Sequence, residues 1–123
     1  MRAADAAEKA SRSNPDLLQP HKRELLGLLG EAVQQELRWH LALMIPRLQL
    51  TAVERRRAAE CLEVYLEDRS SIVKTFAMQG LADLARQDPG LQVEVREQIR
   101  TLTRTGTPAM KARGRKLLTE LER

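Results

Sequence analysis

The feature that most constrains this chain is that it repeats itself. Leu37, Arg38, Leu41, Ile45 and Leu48 recur 36 residues on as Val73, Lys74, Ala77, Leu81 and Leu84, and 37 residues further as Met110, Lys111, Gly114, Leu118 and Leu121. The apolar positions step by 4, 4 and 3, which places them on one face of a helix. A second stripe precedes each of these. Leu26, Leu62 and Ile99 stand 11 residues before Leu37, Val73 and Met110, and Leu29, Tyr65 and Leu102 stand eight before them. Each unit is therefore a pair of amphipathic helices. One such pair cannot bury its apolar face alone, and stacked pairs can.

The chain opens inside a partial unit. Ala3, Ala7 and Ala10 fall 74 residues before Ala77, Leu81 and Leu84, and Asn14-Pro15 falls 74 before Asp88-Pro89. This phase leads us to expect residues upstream of Met1. It also leaves an alanine-lined edge on the first helix, Ala3, Ala7 and Ala10, with room for a homodimer. Helix starts are marked at Asn14-Pro15, Ser70, Asp88-Pro89 and Thr107-Pro108, where a capping side chain precedes the first turn. Thr51 with Glu54 has the spacing of a capping box. These signals predict seven helices, over about 2–12, 15–31, 34–49, 52–67, 71–87, 89–104 and 108–122, and no strand. Pro46 should kink or end the third, because it removes a backbone donor and crowds the turn before it. The whole of 1–123 is one domain: a partial repeat at 1–13 and full repeats at 14–50, 51–87 and 88–123.

The middle unit carries a further pattern: Asp68, then Val73-Lys74, Ala77, Leu81 and Leu84. This resembles the HEAT repeat of the armadillo-like superfamily. The resemblance implies an all-α fold, an α-solenoid wound as a right-handed superhelix of about three and a half helix pairs. It also implies a ladder in which the turn aspartate of one unit meets the basic residue of another. The outer units depart from the pattern. Ala32 and Thr105 hold the aspartate position, and Leu41 and Gly114 hold the alanine position, so the ladder is expected to be partial. Gly80 and Gly114 cost about 1 kcal/mol each in a helix relative to alanine, and close helix approach is the expected return.

Composition excludes several classes. Apolar residues are 42% and charged residues 31%, outside the disordered range. No apolar run reaches the ~18–20 residues that span a bilayer, and residues 1–12 lack the apolar core of a signal peptide. A cytoplasmic location without membrane contact is the expectation. One cysteine, Cys61, and two histidines, His21 and His40, do not form a metal-site pattern. Cys61 falls on the apolar stripe of its helix beside Ala58, Leu62 and Tyr65 and reads as structural. The six glycines form no phosphate-binding array. We therefore expect no catalytic residue, no cofactor and no metal.

Charge is uneven: the net +4 resolves into about +5 over residues 96–123 and about −1 elsewhere. A basic end attracts nucleic acid or an acidic partner. In α-solenoids the second helix of each pair lines the concave surface, and on those helices two rows are expected to face away from the core. Counting ~100° per residue, one row holds Trp39 with its equivalents Thr75 and Ala112, and another holds Leu43 with Gln79 and Lys116. The neighbouring positions Ala42, Met78 and Arg115 are expected to point the same way. Two readings of Trp39 stand side by side: an exposed anchor for a partner, or packing against a neighbouring side chain. His40 reads as a groove-edge packing residue. The functional expectation is a non-enzymatic protein-binding module or adaptor that grips its partner through Trp39, Leu43, Thr75, Gln79, Arg115 and Lys116. The alternatives are nucleic-acid binding through the basic C-terminal repeat, or a HEAT-like lyase or DNA-repair-type enzyme.

Overall fold

The computed structural model describes residues 2–122. Seven α-helices run α1 (Arg2–Ser13), α2 (Lys22–Glu31), α3 (Gln35–Met44), α4 (Ala52–Tyr65), α5 (Ser71–Gln87), α6 (Pro89–Thr105) and α7 (Pro108–Leu121), with no strand among the described residues. Four helices begin where a side chain caps them. Thr51 accepts from the Glu54 amide while Glu54 accepts from the Thr51 amide, closing a capping box. Ser70, Asp88 and Thr107 accept from the amides of Val73, Gly90 and Met110, and Pro89 and Pro108 open the helices that follow the last two.

Two expected helices are interrupted by proline. The stretch expected as one helix over 15–31 is two 3₁₀ turns, Pro15–Leu17 and Gln19–His21, before α2 begins at Lys22. Asn14 makes no capping bond, and Pro20 can neither donate to Asp16 nor fit against its carbonyl. Pro46 acts likewise: α3 stops at Met44 and the chain continues as the 3₁₀ turn Ile45–Arg47.

The even spacing of the apolar stripes becomes the core. Leu41, Ile45, Leu48, Val73, Ala77, Leu81, Leu84, Met110, Leu29, Leu62, Tyr65 and Ile99 are all buried. The repeat stripe of the middle unit, Leu62, Tyr65, Val73, Ala77, Leu81 and Leu84, is buried throughout, whereas Leu26, Leu37, Leu102, Leu118 and Leu121 in the outer units are only partly covered. The second helices touch in chain order, α1 on α3, α3 on α5 and α5 on α7, while α5 also packs against α4 and α6. Gly80 and Gly114 sit where these helices come closest. A methyl group at Gly80 would lie 2.6 Å from the Ala42 carbonyl oxygen, and one at Gly114 would collide with the Thr103 hydroxyl.

Side-chain bonds tie each unit to the next at nearly the repeat length. The Tyr65 hydroxyl donates to the Leu29 carbonyl, Gln98 to Glu63, Arg113 to Gln79, and Ser71 meets Thr107. One rung of the expected aspartate ladder is present. Arg38 donates to Asp68 at 3.0 Å, and its Nε donates to the Ala32 carbonyl. Burial works against the charge on Asp68, but the Ser70 amide and the Arg38 guanidinium outweigh it and hold the carboxyl below its ordinary range. The Arg38 guanidinium also lies over the Tyr65 ring. Burial pushes the Tyr65 hydroxyl up to about 12, so it remains a donor. Lys74 makes no ion pair among the described residues, since Thr105 stands where an aspartate would meet it.

Candidate functional site

The second helices carry the surface singled out in the sequence, and burial sorts its positions. Ala42 and Met78 are fully buried, and the expectation that they face outward is incorrect. A methyl at Gly114 would meet Met78, and one at Gly80 would meet Ala42. That row faces the next second helix along. Arg115, at the same position of α7, is exposed because no described helix follows it. Thr75 is also buried, and its hydroxyl donates to the Ser71 carbonyl one turn back. It belongs to the α5–α7 seam rather than to an outward surface.

Trp39 occupies the matching seam between α3 and α5. It is half-buried, stacked on His40 with ring centroids 3.6 Å apart and tilted against Phe76 at 5.3 Å. Of the two readings, the packed one describes its contacts. Arg113 on α7 lies over the other side of Phe76 at 5.5 Å. Trp39, Phe76 and Arg113 thus form one continuous row across three helices. Phe76 and Arg113 share the repeat position of His40 and were not among the expected site residues, because that position reads as a packing flank.

Beside this row Leu43 and Gln79 are half-buried and Lys116 is exposed. Gln79 donates to Asp83 at 3.0 Å and accepts from Arg113 at 2.8 Å. Burial raises the Asp83 carboxyl above its ordinary range, against the pull of Gln79 and Arg86. Arg86 bonds Asp83 and reaches Glu120 on α7. The surface is therefore apolar at α3, amide-like and weakly acidic at α5, and basic on α7 at Lys116. Among the six expected residues, Leu43, Gln79 and Lys116 form one accessible row, Trp39 flanks it, Thr75 lies beneath it, and Arg115 points off the end of the molecule.

The N-terminal side of this surface is covered by α1. His40 is 1% exposed. Its Nδ1 lies 2.6 Å from the Glu36 carbonyl, which can only accept, so Nδ1 carries the proton. Its Nε2 faces Asp5 of α1 at 3.4 Å. Glu8, also 1% exposed, accepts from both Arg12 and Arg47, and Arg47 donates in addition to the Glu8 carbonyl and the Ser11 hydroxyl. The Arg12 guanidinium, and after it Arg47, holds the Glu8 carboxyl below its ordinary range despite its burial.

Cys61 is half-buried in a cleft with Leu26, Leu29 and Ala58, and neither histidine lines that cleft. Burial, and after it Glu60, pushes its thiol up, away from the thiolate that nucleophilic chemistry needs. Among the described residues no group of three or more His, Cys, Asp and Glu side chains is placed to hold a metal, and no helix is long and apolar enough to cross a membrane. No protein-family model, curated protein or solved structure matches this chain.

Proposed function

We propose that the chain is a short right-handed α-solenoid of HEAT-like helix pairs that works in the cytoplasm as a non-enzymatic protein-binding module. The partner lies across α3, α5 and α7. The observation that carries this reading is the continuous row Trp39–Phe76–Arg113 with Leu43, Gln79 and Lys116 beside it. Successive helices bring two tilted rings and a cation to one strip, the mixture of groups that contributes most when a partner excludes water from it. The neighbour-to-neighbour contacts of α1, α3, α5 and α7 support the solenoid.

Capture of partners on the tagged chain, followed by mass spectrometry, tests the reading. The wild type is compared with Leu43→Glu/Lys116→Glu, two changes at accessible positions that keep the Trp39 stack. Discrete proteins held by the wild type and lost by the variant are expected. Capture that disappears with nuclease would replace this reading with nucleic-acid binding. That second reading draws on Lys111, Arg115 and Lys116, none of which has an ion pair among the described residues.

A further inference from the structure

The last unit has one side without a neighbour, and that side is cationic. Gln98 donates to Glu63 and so marks the side of α6 that faces α4. Arg96 and Arg100 stand two residues either way from it, about 200° round the helix, with Arg104 one turn further on. On α7, Arg113 bonds Gln79 and Glu120 bonds Arg86, which marks the side facing α5. Lys111, Arg115 and Glu122 lie two residues from these, again on the opposite side. Arg100 donates to Glu122 at 3.0 Å, so both helices open the same way. One unit earlier the positions of Arg96 and Arg115 hold Ala59 and Met78, both buried.

The charges on this side do not cancel. From Arg96 to Glu122 the three carboxylates are all engaged: Glu97 and Glu122 by Arg100, and Glu120 by Arg86. Arg96, Arg104, Lys111 and Arg115 have no ion pair or side-chain hydrogen bond among the described residues. The Nε of Arg96 is covered and without an acceptor, so the fold brings a guanidinium here and supplies nothing to hold it. Glu94 has no partner among the described residues either, but it points about 120° round α6 from Arg100. A terminal unit needs a polar outer side to stay in solution, and interspersed charges of both signs meet that need. Four unpaired cations in one group go beyond it.

We propose that this end face of α6 and α7 binds double-stranded nucleic acid through its phosphates. The site is separate from the strip across α3, α5 and α7 and does not rest on what that strip holds. Among the described residues of α6 and α7 the one large apolar side chain left exposed is Val93, about three turns from Arg104. A protein partner needs an apolar centre to bury, whereas a phosphate backbone needs only charge. The three aromatic residues, Trp39, Tyr65 and Phe76, all lie on other helices, so this face has no platform on which unpaired bases stack. Contact with a duplex, independent of its sequence, fits the groups present. Four cations neutralising about four phosphates should make log K fall against log salt with a slope of about −3 to −4.

The test is fluorescence anisotropy of the whole chain with a labelled twenty-base-pair duplex of mixed sequence. Micromolar binding is expected at about 50 mM salt, about a hundredfold weaker at about 200 mM, and alike for duplexes of different sequence. Arg104→Gln/Arg115→Gln, at exposed positions, should weaken binding at least tenfold at the lower salt and make the slope shallower by about two, with circular dichroism unchanged. Leu43→Glu, in the other strip, should leave duplex binding as it is. The Arg104/Arg115 variant should still capture the protein partners of the wild type, so failure of one site is distinguishable from failure of the other. No binding at the lower salt, affinity unchanged in the Arg104/Arg115 variant, or tighter binding of a single strand of the same length would overturn the proposal. Displacement of the duplex by polyglutamate more readily than by unlabelled duplex would overturn it too, and would assign the face to an acidic protein segment.

Discussion

At the scale of single residues, glycines separate two kinds of position that look alike in sequence. Gly80 sits 2.6 Å, by its would-be methyl, from the Ala42 carbonyl oxygen and 2.9 Å from a Leu62 methyl. The first of these is backbone and cannot step aside. Gly80→Ala should therefore destabilise the protein by about 1–3 kcal/mol through overpacking, seen as a lower urea midpoint with an unchanged slope. Gly30 faces open space, and Gly30→Ala should raise stability by up to about 1 kcal/mol, seen as a higher melting temperature. The sequence marks each glycine as a cost to its helix. Whether another helix presses on it is a property of packing, which only the assembled structure contains. The same limit applied to Thr75 and Met78: their helical angle was legible, but the width of the seam that buries them was not.

At the scale of elements, α1 is held by charge as much as by apolar contact. Its packed face is Ala4, Glu8 and Ser11, while Ala3 and Ala10 stay exposed and Ala7 half-buried. The alanine edge expected from the repeat phase is thus real, and the docked face is the next row round. In the repeat register Ala4, Glu8 and Ser11 stand where α5 has Met78, Ala82 and Ala85. A glutamate in that row is the signal that was available and unread. Arg47→Met would leave the buried Glu8 carboxylate facing Arg12 alone. It should cost roughly 2–3 kcal/mol, the low side for breaking a buried pair, measured as faster amide exchange in α1. Acid should release α1 as well. The Glu8 carboxyl is held below its ordinary value of 4.5, so its contribution to docking is complete above that pH and lost as pH falls through the lowered value. Asp5, lowered by Lys9 and His40, acts in the same direction. Amide exchange from pH 7 to pH 3 should show α1 losing protection before α5. Protection lost in both together would show that α1 is not a separate unit.

At the scale of the whole molecule, the bonds Leu29–Tyr65, Ser71–Thr107, Glu63–Gln98 and Gln79–Arg113 all join one unit to its neighbour. Stability is then a sum over neighbours, and position along the stack should set the cost of a core truncation. Leu81→Ala, at a buried position of the middle unit, should cost about 3–4 kcal/mol, and Leu118→Ala, partly covered at the end, about 1–2 kcal/mol. Urea midpoints for the two variants check the ratio. The helical pairs and most of their buried faces were legible because a period of 36–37 residues repeats one packing problem. The 3₁₀ turns around Pro20 and Pro46 interrupt that period locally.

The chain has one indole, and it stands at the joint between the charge-held helix and the rest. Trp39 rests on the imidazole that Asp5 covers, and on the ring of α5. Its emission is therefore an optical gauge of that joint, with no second tryptophan to dilute the signal. Opening of α1 should change fluorescence intensity while circular dichroism at 222 nm still records the other helices.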